Sequence, residues 1–398
     1  MFLSLFLIFF LGLLGGFLFE KIRLPHIVWY LCLGILLGPS VLNVIDDSLL
    51  NISSILRQIA LVIILTRSGL SLNLKVLKEM GRESILMCFL PATFEIIGIV
   101  IFAPFLLKIS YFEAMLLGSV LAAVSPAIVV PRMIKLKSEG YGTSRHVPDL
   151  VLAGSSVDDI YVIVLFYSFK NLVSNNTFNA LVLLQIPLSI ILGIVLGILV
   201  SFVVSFIFKK ILMKTSSKIV ILLSVSLGMI WLENYLKSYI SVSALLSVIV
   251  MAIIINHKHK NEVEEIKQGY ESLWNGFEIL LFTLVGCQTD IHLALSKEGL
   301  VIAGMILISL IFRSLGVLLS IIKSKYNFKE RLFLIISYLP KATVQASIGG
   351  IALSEGLSCG TLVLTAAVVS ILITAPVGAI LIDNLSHKLL VRDEEINE

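Results

Sequence analysis

Ala153-Gly154-Ser155-Ser156-Val157-Asp158-Asp159-Ile160-Tyr161-Val162-Ile163-Val164-Leu165-Phe166 sets two adjacent aspartates at the middle of a run of about two dozen mostly apolar residues. On insertion scales one carboxylate at the centre of a membrane helix costs roughly 2.5 to 3.5 kcal/mol, so two cost about twice that. Such a pair is kept for function rather than for packing.

The membrane setting follows from the rest of the chain. Of its 398 residues, 58% are hydrophobic and 14% charged. Apolar stretches repeatedly reach the ~20 residues needed to cross ~30 Å of hydrocarbon. The pattern predicts an all-α polytopic membrane protein of about 13 transmembrane helices. They fall near residues 2–19, 27–45, 54–70, 83–107, 113–132, 147–170, 178–208, 217–234, 239–256, 270–287, 297–322, 329–354 and 360–384. Residues 1–392 read as a single integral membrane unit and 393–398 as a short polar tail.

Basic residues give the orientation. Loops after odd-numbered spans hold 22 Lys and Arg, and loops after even-numbered spans hold 4. By the positive-inside rule the amino terminus lies outside and the carboxyl terminus in the cytoplasm, with the plasma membrane the expected location. The cations left inside spans are Arg57, Arg67, Arg313 and Lys341. Arg57 and Arg67 lie near span ends and are expected to snorkel. Lys341 is central in the twelfth span, and Arg313 is deep in the eleventh.

Several function classes are excluded. The net charge of +4 reflects loop bias, with no basic, aromatic-interleaved patch for nucleic acid. Cys32, Cys88, Cys287 and Cys359 have neither disulfide nor zinc-ligand spacing, and no cofactor motif is present. The first apolar segment has no basic leader and precedes Lys21 and Arg23, so it is expected to be a retained span.

Internal repetition supplies an architecture. Leu65-Thr66-Arg67-Ser68-Gly69-Leu70-Ser71-Leu72, continuing to Lys78-Glu79-Met80-Gly81, is echoed by Leu284-Val285-Gly286-Cys287-Gln288-Thr289-Asp290-Ile291, continuing to Ser296-Lys297-Glu298-Gly299. The echo pairs span three with span ten. An offset of seven spans makes two inverted six-helix repeats, the arrangement of many secondary transporters. Spans five and twelve then correspond, and both carry a central proline, Pro126 after Ser125 and Pro340 before Lys341. Proline removes a backbone hydrogen bond, so both helices are expected to break and to aim freed groups, such as the Val124 carbonyl, at the bilayer midplane. Spans four and eleven also correspond and carry Glu95 and Arg313, expected to form a buried ion pair.

Adjacent helical residues point about 100° apart, so the two aspartates cannot share one partner. One is expected to face a cavity and the other a fixed cation, for which the depth of Lys341 fits. A site where a proton and a metal cation compete for a carboxylate suits an ion antiporter. An intramembrane aspartyl protease also needs two aspartates, but on facing helices, and its Gly-x-Gly-Asp pattern is absent. A channel is a third alternative, disfavoured by broken helices in inverted repeats.

The stretches Val124-Ser125-Pro126-Ala127-Ile128-Val129-Val130-Pro131, Gly140-Tyr141-Gly142, Ala153-Gly154-Ser155-Ser156-Val157-Asp158-Asp159 and Leu339-Pro340-Lys341-Ala342-Thr343-Val344-Gln345-Ala346 together resemble the cation/proton antiporters of the branch containing NhaA and NapA. The string Pro-Lys-Ala-Thr-Val-Gln-Ala most resembles the NHA-type sodium/proton antiporters, and the resemblance runs from about span two to span thirteen. It implies the NhaA-like fold with two crossing broken helices, and no enzyme activity. It implies that Asp159 is the main cation and proton site and that Asp158 bridges to Lys341 when no cation is bound. Glu95 with Arg313 resembles the core ion pair of the NHA-type branch. A homodimer is implied too, with a core domain over 83–170 and 297–384 moving past a dimer domain over 1–70 and 178–287. Na⁺ or Li⁺ would be exchanged for two protons, electrogenically, by elevator-type alternating access; a K⁺/H⁺ antiporter of the same fold is the alternative. Ser125 and Ser155 could each ligate the ion through oxygen or merely cap backbone. Ser155 stands where many members place a small residue without a hydroxyl, which leaves the choice of ion open.

Overall fold

The computed structural model describes residues 1–72, 81–175, 180–236, 242–260 and 262–392. Residues 73–80 of the internal echo and the 393–398 tail lie outside the described residues. Among the described residues the secondary structure is helical, apart from one isolated antiparallel bridge between Tyr141 and Arg392.

In chain order the helices are α1 (Phe2–Lys21), α2 (His26–Leu37), α3 (Asp47–Asn51), α4 (Ser53–Ser71), α5 (Gly81–Met87), α6 (Leu90–Leu107) and α7 (Tyr111–Leu121). Next come α8 (Pro126–Ser138), α9 (Val147–Asn175), α10 (Ala180–Lys210), α11 (Thr215–Leu236), α12 (Ala244–Lys258) and α13 (Val263–Cys287). The last are α14 (Ile291–Ala294), α15 (Lys297–Ser320), α16 (Phe328–Ser337), α17 (Thr343–Gly349), α18 (Ile351–Ser354) and α19 (Gly360–Leu389). Nine stretches among the described residues are long and apolar enough to cross a membrane, including Gly81–Leu107 and Tyr111–Ser138 taken whole. The other expected spans fall on α2 and α12, which are short, on α13, whose first half is charged, and on α16 to α18, which are interrupted.

Two compact units divide the chain. One comprises Met1–Ser54, Asn73–Val173 and Phe282–Glu398; the other comprises Ile55–Leu72 and Ser174–Leu281. The first 54 residues therefore group with the aspartate-bearing unit, whereas the sequence expectation put 1–70 with the 178–287 bundle. Backbone proximity explains the grouping. A Cβ on Gly34 of α2 would lie 2.0 Å from the carbonyl oxygen of Thr283, so glycine is required for that approach.

In the first unit, α6 and α15 pack along their length. Gly98 leaves room for Phe312, whose ring stands edge-on to Phe102 at 5.9 Å, and Gly316 lies against Leu90 and Pro91. These are the helices that the repeat offset pairs. The two interrupted spans also begin alike. Ser110 and Glu113 form a capping box at the start of α7, and Asn327 and Glu330 form another at the start of α16. The first span then breaks at residues 122–125 before Pro126 opens α8, and the second breaks at residues 338–342 around Pro340. Pro126 sits at the first turn of its helix, where a missing N–H costs nothing. The breaks meet directly: the Ser125 N–H donates to the Pro340 carbonyl at 2.8 Å.

In the second unit, α10 and α12 are close-packed, with Ser247 donating to the Gly193 carbonyl at 2.8 Å. Arg67 pairs with Glu271 at 2.6 Å, and Arg57 is only 3% exposed. Arg57 is thus buried within its unit, whereas Arg67 keeps part of its side chain exposed beside Glu271.

Candidate ion-binding site at the two helix breaks

Interrupting a helix leaves its last carbonyls without partners, and in an apolar interior each needs a donor. Here cationic and amide side chains supply them. Arg313 of α15 donates through Nε to the Tyr338 carbonyl at 2.6 Å and through Nη1 to the Ala122 carbonyl, so one guanidinium caps both first half-helices. Lys341 Nζ and Gln345 Nε2 both donate to the Leu121 carbonyl, and Gln345 also reaches the Ala123 carbonyl at 2.8 Å. The Lys341 N–H, freed by the second break, is accepted by Thr374 Oγ1 at 3.0 Å. Positive groups at helix carboxyl ends also oppose the negative pole of the helix dipole.

The same cations hold the carboxylates. Arg313 Nη1 is 2.9 Å from Glu95 Oε2, and its Nη2 is 2.9 Å from Asp158 Oδ2. Lys341 Nζ is 2.7 Å from Glu95 Oε1, which also accepts from Ser309 Oγ at 2.9 Å. Glu95 and Arg313, placed together by the repeat offset, are thus in contact. The pairing of Asp158 with Lys341 is not the one observed. Asp158 Oδ2 is taken by Arg313 and by the Val124 N–H at 3.0 Å, while Lys341 reaches toward Leu121 and Glu95. Sequence depth gave Lys341 the correct level but not the direction in which its side chain leaves the break. Val124 contributes its N–H to Asp158, a contact that sequence reasoning, which singled out the Val124 carbonyl, did not foresee.

Among the described residues Asp159 has no such counter-ion. Glu95, Asp158, Arg313 and Lys341 are 0% exposed, whereas Asp159 retains 5%. If all five groups are charged, three carboxylates oppose two cations, and the unmatched charge belongs to Asp159. Among the described residues, Asp158 Oδ1, Asp159 Oδ1, Ser125 Oγ, Thr343 Oγ1 and Gln345 Oε1 are buried without a hydrogen-bond partner. Buried polar atoms are ordinarily satisfied, so a group of acceptor-capable oxygens on the two breaks and on the α9 aspartates suits a hard cation. Ser155 is different, because its hydroxyl donates to the Leu152 carbonyl at 3.3 Å within its own helix. Of the two serines, Ser125 is the one left free to ligate.

Ser309, Tyr338, Gln345 and Thr374 were not singled out from sequence. One of them carried a signal: Ser309 lies one turn before Arg313 on the same helix, the spacing that puts helical side chains on one face. Gly154, inside the aspartate stretch, has a steric role. A Cβ there would lie 1.9 Å from the Tyr338 hydroxyl, which donates to the Met87 carbonyl at 3.4 Å.

A polytopic helical protein with two breaks in contact, cation-capped carbonyls and one unmatched intramembrane carboxylate is a secondary ion transporter in architecture, not an enzyme. The sequence matches the family described as "Sodium/hydrogen exchanger, transmembrane" over residues 5–386, and the chain belongs to that family. It is 35% identical over 410 residues to sodium/hydrogen exchanger 9B1 of Mus musculus, covering 98% of this chain and 72% of that protein. It is 32% identical over 408 residues to sodium/hydrogen exchanger 9B2 of Homo sapiens, covering 98% of this chain and 76% of that protein. Its fold is that of the sodium proton antiporter MjNhaP1 from Methanocaldococcus jannaschii at pH 8, with a TM-score of 0.83 at 20% identity and 97% of each chain covered.

Proposed function

We propose that this sodium/hydrogen exchanger carries its ions on Asp159, which takes either a proton or Na⁺ (or Li⁺), with Asp158 Oδ1 and the Ser125 hydroxyl completing the cation site. The supporting observation is the charge arrangement: Glu95 and Asp158 are engaged by Lys341 and Arg313, and Asp159 stands without a counter-ion among the described residues. A buried carboxylate in that position needs a positive partner in either transport state, and one proton or one monovalent cation meets the need. Thr343 Oγ1 and Gln345 Oε1 offer further neutral oxygens.

Exchange proceeds by alternating access, the helix breaks carrying the site from one face of the membrane to the other in an elevator-like movement of a core against a homodimeric scaffold. The protein acts in the plasma membrane with its carboxyl terminus in the cytoplasm, an orientation, though not a location, that the lysine and arginine bias of the loops supports. Two protons per cation would require Lys341 to lose its proton when the cation binds. Its ion pair is with Glu95, not with an aspartate of α9, which favours one proton per cation instead.

The test is antiport by purified protein in liposomes with Na⁺, Li⁺ and K⁺ across pH 6 to 9, beside Asp159→Asn. The variant is expected to lose cation-dependent proton movement at every pH. Full activity in Asp159→Asn would overturn the assignment, and faster exchange with K⁺ than with Na⁺ would favour the potassium alternative.

A further inference from the structure

The second unit holds a charged feature that ion exchange does not use. Lys209 and Lys210 end α10 and Lys214 follows it, while Lys258 ends α12 and Lys260 follows; all five are exposed. The two segments lie against each other. The rings of Phe208 and His259 are 5.6 Å apart, and Lys218, beneath them, reaches Glu262 at 2.6 Å. The neighbouring carboxylates are engaged elsewhere: Glu262 with Lys218, Glu264 with Lys267, and Glu265 with the Thr215 hydroxyl. None of the five exposed lysines has a carboxylate within 4.0 Å among the described residues.

A run of lysines is ordinarily a solvated face, but two observations separate this one. Lys258 Nζ lies 3.6 Å from the centre of the Phe202 ring and Lys210 Nζ 5.4 Å from that of Phe206. These rings are 57% and 62% exposed on a span-length apolar helix, and just beyond it Ile211 and Leu212 are 52% and 105% exposed. Two of the ammonium groups therefore sit on exposed aromatic rings at the polar end of an apolar, span-length helix, the place where long basic side chains ordinarily reach the headgroup level. The second observation is His259, whose imidazole is held below its usual value by burial and by the positive charges of Lys209, Lys218 and Lys258, with Glu262 opposing. The site has positive charge that its own carboxylates do not balance.

We propose that this cluster binds the anionic headgroup of a phospholipid in the leaflet it faces, with the acyl chains lying along Phe202 and Phe206. A phosphate without a compensating ammonium accepts from several lysines at once, whereas a zwitterionic headgroup brings its own cation against them. A soluble acidic peptide or nucleotide would leave the exposed rings unmatched.

The experiment titrates purified full-length protein in neutral detergent with phosphatidylglycerol, phosphatidylcholine or sn-glycerol phosphate, reading the thermal unfolding midpoint. Wild type is compared with a variant in which Lys209, Lys210, Lys214, Lys258 and Lys260 are all Gln. A second variant neutralises Lys21, Lys323, Lys325, Lys329 and Lys388, so that total charge is matched. Phosphatidylglycerol is expected to raise the midpoint of wild type and of the charge-matched variant, and to need about tenfold more lipid in the first variant. Equal response of both variants, an equal effect of phosphatidylcholine, or full reproduction by sn-glycerol phosphate each overturns the proposal. Should the first variant not fold, the His259 imidazole resonance of wild type decides. Its titration midpoint rises with phosphatidylglycerol and not with phosphatidylcholine if the headgroup sits among these lysines, and it stays fixed otherwise.

Discussion

Arg313 meets four acceptors from one guanidinium: two half-helix carbonyls, Glu95 and Asp158. Lysine has the charge but not the planar fork, so Arg313→Lys cannot cap both breaks and hold both carboxylates. We expect Arg313→Lys to lose transport, and Arg313→Ala to lose roughly 3 to 5 kcal/mol of stability as well, because two buried carboxylates lose a partner. Thermal unfolding in detergent, read beside antiport, checks both. Ser125 gives a finer prediction. Its hydroxyl has no partner to lose, so Ser125→Ala should leave the unfolding midpoint within a degree or two while weakening apparent Na⁺ affinity several-fold. Unchanged affinity would remove Ser125 from the cation site. The identity of these residues was legible in the sequence, since an intramembrane charge announces itself by its cost. Their pairing was not: position along a span gives depth, and the partner depends on which way a side chain leaves an irregular backbone. That is why Lys341 stood at the right level yet beside Glu95 instead of Asp158.

Whole helices were more legible than single contacts, because apolar length and central proline are local properties. The breaks before Pro126 and around Pro340 lie where the two central prolines pointed, whereas the paired capping boxes of α7 and α16 came into view only with the structure. What sequence could not give was the closeness of approach between helices, set by glycines whose neighbours are remote in the chain. Gly154 is the instructive position, because it belongs to the aspartate stretch yet serves Tyr338, whose carbonyl Arg313 caps. Gly154→Ala should push Tyr338 from the second break, costing about 1 to 3 kcal/mol and reducing transport although no charged group is touched. Pairing it with Tyr338→Phe, which removes the hydroxyl that the new Cβ would strike, should recover part of the loss. No recovery in the double variant would mean that the glycine acts elsewhere. At the end of α12, His259 makes a prediction about pH. Its imidazole is held below the usual 6.5 by burial and three lysines, so between its folded value and 6.5 the unfolded chain binds more protons. Stability should therefore fall as pH drops below about 6.5, and a His259→Gln variant should show a flatter midpoint between pH 7.5 and 5.5.

For the molecule as a whole the deciding quantity is how much charge one cycle moves. Three buried carboxylates and two buried cations leave a site that is one positive charge short of neutrality, and either cargo, a proton or Na⁺, restores the balance. If Lys341 keeps its proton on Glu95 throughout, the loaded site is neutral in both directions and exchange moves no net charge. If Lys341 releases its proton when Na⁺ binds, the two directions differ by one charge, and the membrane potential acts on it with about 2.3 kcal/mol per 100 mV. The resemblance to electrogenic antiporters pointed to the second case, and the engagement of Lys341 with Glu95 favours the first. In proteoliposomes with equal Na⁺ and pH on both sides, an imposed potassium-diffusion potential should then drive no net proton movement in wild type. Lys341→Gln should behave the same way, with slower exchange because a cap on the Leu121 carbonyl is weakened. Net proton flux that follows the imposed potential in wild type and vanishes in Lys341→Gln would instead make the lysine a proton carrier, and would require its bond to Glu95 to open in every cycle.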